Sequence, residues 1–153
     1  MDAIDVRILN ELQRDGSLSS QALAERVGLS ATPCWRRVRR LEKAGIIRGS
    51  VVLLDAEHLD LHVTAFAQVS LEDHHPDSVA EFDRMVALLP EILECHAMSG
   101  QHDYLLKIIC GSISDYDHLL SHHILRVKAV QTVNTSIVLR TSKTTTALPL
   151  TEG

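Results

Sequence analysis

The hydrophobic period of this 153-residue chain changes once, near His62, and that change calls for two architectures in succession rather than one. Up to Gly45 the apolar residues recur at helical spacing in three short runs. Ile4, Ile8, Leu9 and Leu12 form the first, and Asp15-Gly16 stops it. Ser19 or Ser20 can cap a second helix, with Leu23, Ala24 and Val27 as its stripe and Gly28 at its end. Ser30 can cap a third helix reaching about Ala44, with Pro33 in its first turn and Gly45 just beyond it. Two helices joined by Gly28-Leu29-Ser30 make a helix-turn-helix. Ile46-Ile47-Arg48 and Val51-Val52-Leu53-Leu54 read as short strands around Gly49-Ser50, a small wing or connecting ribbon. Asp55 to Leu61 reads as a hinge.

From His62 the pattern alternates between strand and helix. Val63 to Leu71 is a strand, Pro76 to Leu89 an amphipathic helix closed by Pro90, and Ile92 to Met98 and Tyr104 to Cys110 are two further strands. Ser114 can cap the next helix with Asp117 three residues on, and Tyr116, Leu119, Leu120, Ile124 and Val127 supply its core face. Val130 to Leu139 is the last strand. The expected class is therefore α+β. An N-terminal winged helix-turn-helix (1–50) leads through a connecting strand and hinge (51–62) to a ferredoxin-like βαββαβ domain (63–142), and a polar tail follows (143–153). The strand Tyr104-Leu105-Leu106-Lys107-Ile108-Ile109-Cys110 is apolar on both faces apart from Lys107, so the face turned from the helices needs a second sheet. A sheet-on-sheet homodimer supplies one.

Charge divides at the same place. The net charge of −5 averages a head (1–50) of +3 and a remainder (51–153) of −8. Residues 36–48 hold five Arg and one Lys against the single acid Glu42, a basic binding head on an acidic body. At about 100° per residue, Cys34, Val38 and Leu41 share the buried side of the third helix. Thr32, Arg36, Arg39, Arg40 and Lys43 lie opposite, with Trp35 and Arg37 on the flanks. A solvated surface helix ordinarily interleaves acids with bases. An outer face so rich in arginine fits the major groove of double-stranded DNA and its phosphate edges. Arg36, Arg39 and Arg40 are expected to contact groove and backbone, with Ser30, Thr32 and Pro33 at the helix entry and Lys43 at its far end. Arg37 equally suits a structural ion pair. Trp35 stacks on sugar or packs against the wing, and packing is the simpler reading.

The remaining composition narrows the classes further. No apolar run approaches the roughly 18–20 residues that span a bilayer, and the N-terminus carries no secretory pattern. Three cysteines, Cys34, Cys95 and Cys110, do not make a disulfide scaffold. The expectation is a cytoplasmic protein without membrane attachment. There is no P-loop, nucleophile elbow or dinucleotide fingerprint, and no catalytic cluster is legible, so the chain reads as no enzyme and needs no cofactor. His118 and His122 are four apart on one helix, with His96, His102 and His123 as candidates to converge with them, while His74-His75 adjoins Asp73 and Asp77. No metal-binding motif accompanies these histidines, and no metal site is assigned. Arginines beside Cys34 can lower its pKa, although its inner-face position suits a small core residue.

A basic winged helix-turn-helix followed by a βαββαβ body resembles the Lrp/AsnC (leucine-responsive/asparagine-responsive) family of transcription regulators over essentially the whole chain. The resemblance rests on Ile4-Asp5-x-x-Ile8-Leu9-x-x-Leu12, on Leu23-Ala24-x-x-Val27-Gly28-Leu29-Ser30 and on Pro33-Cys34-Trp35-Arg36-Arg37-Val38-x-x-Leu41-Glu42-x-x-Gly45-Ile46-Ile47. It rests in the body on Ser99-Gly100-x-x-Asp103-Tyr104-Leu105-Leu106 and Val133-x-Thr135-Ser136-x-Val138-Leu139. It implies a RAM-type body that dimerises, often builds octamers, and binds a small effector, usually an amino acid, near the glycine–aspartate–tyrosine turn. Met98, Gly100, Gln101, His102, Asp103, Tyr104, Thr135 and Ser136 are the effector-site candidates it carries over. Taken alone, Gly100 is the residue such a turn requires and Asp103 an ordinary turn cap. The chain departs from the family where the body's second helix usually ends in Leu-Pro-Gly-Val and here reads Val127-Lys128-Ala129-Val130. The alternative function on the same scaffold is a metal- or thiol-responsive regulator.

Overall fold

The computed structural model describes residues 1–151. Three helices open the chain: α1 (Ala3–Arg14), α2 (Ser20–Val27) and α3 (Ala31–Lys43). Asp2 caps α1 in a reciprocal box, its carboxylate accepting the Asp5 N–H while the Asp5 carboxylate accepts the Asp2 N–H. Ser19 caps α2 by accepting the Ala22 N–H. Gly28 (φ +73°) and Gly45 (φ +72°) close α2 and α3 in the left-handed conformation that glycine adopts without a Cβ penalty. Ser30 holds the N-cap position of α3, but its side chain makes no capping bond. Ile8, Leu9, Leu23, Ala24, Val27, Cys34 and Leu41 interlock as one core, with Val38 packed partly against it.

Residues 46–54 differ from the sequence expectation. Neither Ile46–Arg48 nor Val51–Leu54 forms a strand, and Val51, Val52, Leu53 and Leu54 are 71–83% exposed. A strand is defined by the ladder it shares. These residues have the side chains for one, but nothing within the described residues of this single chain pairs with them.

The C-terminal residues also depart from a plain polar tail. Lys143–Gly153 groups with Met1–Leu53 as one compact unit, while Leu54–Ser142 forms the other. Residues 152 and 153 lie outside the described residues. The Gln13 carboxamide of α1 grips the tail backbone at Leu148, donating to its C=O (3.2 Å) and accepting its N–H (2.6 Å), and Leu150 packs against the head core. Gln13→Ala is expected to cost the head about 1 kcal/mol, the ordinary value of such a pairing, and to speed hydrogen exchange at the Leu148 amide. Equal exchange rates in both proteins would count against the clasp.

The second unit is β1 (Val63–Leu71), α4 (Pro76–Leu88), β2 (Ile92–Ala97), β3 (Tyr104–Cys110), α5 (Ile113–His122) and β4 (Val130–Ile137), a βαββαβ order. The four strands make one antiparallel sheet in the order β2-β3-β1-β4. Alternation puts Ala65, Ala67, Val69 and Leu71 of β1 and Leu106, Ile108 and Cys110 of β3 on one face, buried with Phe82, Tyr116, Leu119 and Ile124 from the helical side. The opposite face carries Phe66, Gln68, Leu105, Lys107 and Ile109, none fully buried.

Three boundaries move from their expected places. Ser112 rather than Ser114 caps α5, accepting the Asp115 N–H at 3.1 Å. The helix stops at His122, and a 3-10 turn at Ile124–Arg126 precedes β4, so the missing Pro-Gly stop does not make the helix run on. Buried Ile124, Val127 and Ala129 hold this irregular segment to the core. β4 ends at Ile137, and Leu139 is left almost wholly exposed.

Candidate functional site

The basic face of α3 is sorted by its partners. Arg37 Nη1 lies 2.7 Å from Asp2 and 2.8 Å from Asp5, and Arg40 Nη2 lies 2.7 Å from Asp5. The Asp5 carboxylate therefore receives a backbone N–H and two guanidinium groups, and it is the one polar residue among those described that is buried completely. Burial raises its pKa, but the Asp2 N–H, the Arg37 bond and the Arg40 charge more than offset that, and the net shift is downward. The exposed Asp2, held by the Asp5 N–H and by Arg37, falls to about 2. Arg37 thus takes the structural role open to it. Arg40, expected to reach DNA, also braces α1, although its side chain remains 60% exposed.

Arg39 pairs with Glu42 at 3.0 Å and lies over the Trp35 ring, 5.6 Å from its centroid. Trp35, open to sugar stacking or to packing against a wing, is half exposed and carries Arg39. Arg36 and Lys43 are exposed and engage no hydrogen bond or ion pair among the described residues. Ser30 and Thr32 are exposed at the helix entry and Pro33 is half-buried there. The centre of the outer face is thus an unneutralised cation, Arg36, between arginines whose directions are set by neighbouring side chains. Cys34 lies on the inner side, fully buried, and burial pushes its thiol up against the weaker opposing effect of Arg37. It is a core residue, not a thiolate primed by arginine.

The second candidate region is the turn from β2 to β3. It is tied back at both ends: Met98 N–H donates to the Asp103 carbonyl (2.8 Å) and Asp103 N–H to the Val69 carbonyl (3.0 Å). Gly100 has φ +141°, a conformation that side chains avoid. Against this turn lies an open concavity of about 280 Å³ lined by Gln68, Met98, Ser99, Gln101, His102, Tyr104 and Leu105. Four of the effector candidates, Met98, Gln101, His102 and Tyr104, meet there. Gln68, Ser99 and Leu105 were not anticipated. Gln68 and Leu105 pair directly across β1 and β3, and a glutamine in an otherwise apolar strand segment was the available signal. His102 Nδ1 and Ser70 Oγ share a hydrogen bond (3.1 Å), and the Tyr104 ring is tilted against Phe82 at 4.6 Å between centroids.

The other candidates stand apart. Asp103 is not among the lining residues. One of its oxygens accepts the Leu71 N–H and the other is held by His74 Nε2, both at 2.7 Å. The Leu71 bond, then His74, keep its carboxyl below the usual range. Thr135 pairs with Ala67 on the helix-covered face and hydrogen-bonds the Tyr116 hydroxyl. Ser136, opposite Phe66, points to the other face, so the two β4 candidates do not share a site.

Residues 64–148 match the Lrp/AsnC ligand-binding domain, and residues 1–48 match a winged helix-turn-helix DNA-binding domain. The leucine-responsive regulatory protein of Haemophilus influenzae is 43% identical over 150 residues, covering 98% of this chain and 90% of that protein. That of Escherichia coli K12 is 44% identical over 143 residues, covering 94% and 87%. A crystal structure of a transcriptional regulator from Neisseria meningitidis in complex with L-methionine superposes with a TM-score of 0.94 at 38% identity, covering 97% of this chain and 96% of that one. An AsnC-family regulator from Agrobacterium tumefaciens gives a TM-score of 0.92 at 37% identity, covering 97% of both chains. No helix among the described residues is long and apolar enough to cross a membrane. An arginine-faced helix on a helix-turn-helix head, a βαββαβ ligand-binding body and these likenesses converge: the chain belongs to the Lrp/AsnC family of DNA-binding transcriptional regulators, which are not enzymes.

Proposed function

We propose that this regulator responds to an amino acid bound at the β2–β3 turn, and that it works as a homodimer assembling to an octamer in the cytoplasm. The observation that carries the effector reading is the concavity beside Gly100. It joins polar groups from Gln68, Gln101 and His102 to an apolar wall of Met98 and Leu105, the mixed lining that suits a small amphipathic molecule. The neighbouring Asp103 carboxylate, ionised at neutral pH, suits an α-ammonium group. The Neisseria protein, named for its L-methionine complex, supports the class of ligand. Pairing through the sheet face that bears Phe66, Leu105 and Ile109 would cover its apolar side chains. A ligand there alters DNA binding by favouring one assembly over another.

The metal-responsive alternative is not favoured. His118 and His122 stack face to face at 4.1 Å between centroids, and among the described residues no three His, Cys, Asp or Glu groups are placed to hold a metal ion. The test is a thermal-shift panel of twenty amino acids and common divalent metals. An effector at about a hundred times its Kd stabilises the native state by about 2.7 kcal/mol, a rise of several degrees. Stabilisation by L-methionine or L-leucine is expected. A response to a metal with none to any amino acid would overturn the reading.

A further inference from the structure

Along one edge of the outer face of α3, Trp35, Arg39 and Glu42 lie within about 60° of one another on a helical projection. Arg39 follows Trp35 by one turn, and its guanidinium carbon lies over the indole, 5.6 Å from the ring centroid. Glu42 accepts a hydrogen bond from Arg39 Nη1 at 3.0 Å. The guanidinium is thus held on one side by a π face and on another by a carboxylate, with 62% of the Arg39 side chain still exposed. Trp35 is half exposed and is not part of the head core, so core packing does not account for it. An arginine carries five N–H donors in a rigid planar fork, and this one has no other hydrogen-bond partner among the described residues. Its charge is compensated by Glu42, whose carboxylate would repel a phosphate brought to the same place. A base edge is neutral and offers acceptors, so it tolerates that carboxylate. The exposed Arg36 and Lys43 carry the uncompensated charge that suits phosphate.

We propose that Trp35 and Glu42 are positioning residues that hold the Arg39 fork for a guanine edge in the major groove, which makes Arg39 the specificity-determining arginine of α3. This rests on α3 being the helix that meets DNA. Guanine presents two acceptors there, O6 and N7, that match two N–H groups of the fork. A fork already confined by the indole loses less side-chain freedom on binding than a free arginine does. The same confinement fixes the plane of the fork, and that plane decides which base edge it fits.

The experiment starts from duplexes that the full wild-type chain selects out of a random-sequence pool. Anisotropy titration across a salt series then compares a selected duplex with versions carrying each other base at every guanine. The proteins are the wild type, Arg36→Ala, Arg39→Ala, Trp35→Ala, Trp35→Phe, Trp35→Leu and Glu42→Gln. Arg39→Ala is expected to lose about tenfold of the preference for guanine at one position of the site, with a salt slope close to that of the wild type. Trp35→Ala is expected to lose about threefold of the same preference. Trp35→Phe restores most of it and Trp35→Leu does not, because only an aromatic ring supplies a π face. Glu42→Gln steepens the salt slope and lowers the guanine preference, since Arg39 is released to phosphate. Preference is a ratio of affinities within one sample, so partial unfolding, which weakens every duplex alike, does not mimic its loss. An Arg39→Ala protein weakened alike on every duplex, with the slope lowered by about one, makes Arg39 a phosphate contact and overturns the proposal. Equal guanine preference in Trp35→Leu and Trp35→Phe overturns the positioning role of the indole. If neither Arg36→Ala nor Arg39→Ala weakens binding to any duplex, the reading of α3 falls and the proposal with it.

Discussion

Arg36→Ala is expected to weaken DNA binding by about tenfold to a hundredfold while leaving the fold and the assembly state intact. The size follows from what one arginine contributes at a groove, about 1–3 kcal/mol. The selectivity follows from its surroundings. Arg36 stands at the centre of the exposed face of α3 with no hydrogen bond or ion pair among the described residues, so its removal breaks nothing within the protein. Arg40→Ala is a different experiment, because it also takes a partner from buried Asp5. Gel-shift or anisotropy titration across a salt series makes the test quantitative. A phosphate contact lowers the salt slope by about one and weakens all sequences alike, whereas a base contact relaxes specificity at one position. Operator affinity unchanged in Arg36→Ala would remove α3 as the reading helix.

That separation of Arg36 from Arg40 was not legible in the sequence. The two lie about 40° apart on a helical projection, and angle alone gives both an outward face. What distinguishes them is the N-terminus of α1, more than thirty residues earlier in the chain, where a capping acid doubles as an anion for α3. The helices themselves were readable because an apolar stripe with a 3.6-residue period and a glycine stop are local signals. The cap of α5 was ambiguous for a local reason. Ser112 and Ser114 each precede an aspartate by three residues, and only the end of β3 at Cys110 decides between them.

The effector region shows the same boundary between local and non-local information. Gly100 and the strands on either side of the turn follow from chemistry within a few residues. Asp103 was open to two readings, turn cap or ligand anchor, and its cap partner turns out to be Leu71 on another strand. Thr135 and Ser136 entered together as neighbours in sequence. Consecutive strand residues face opposite ways, and Tyr116 claims Thr135 for the core side. The segment Val51–Leu54 has strong strand chemistry, but a ladder needs a partner, and none pairs with it among the described residues.

Asp5→Ala is expected to destabilise the head by about 2–4 kcal/mol, enough to unfold a unit of this size near physiological temperature. The argument is one of uncompensated charge. Asp5 is fully buried and neutralises two arginines that α3 brings to the start of α1. Alanine removes that anion and one side of the capping box, leaving the Asp2 N–H without its acceptor and Arg37 with Asp2 alone. Asp5→Asn keeps the shape but not the charge, and is expected to fall between alanine and the wild type. The same anion sets an acid limit. Because its folded pKa lies below the ordinary 3.8, its contribution is fully present above that value and is lost as the pH falls through the lower, folded one. Asp2, with a folded value of about 2, titrates with the same sign. Calorimetry should therefore show the head melting earlier in Asp5→Ala at neutral pH, with the difference from wild type shrinking on acidification below about pH 4. A gap that stayed constant on acidification would mean that Asp5 acts through packing rather than charge.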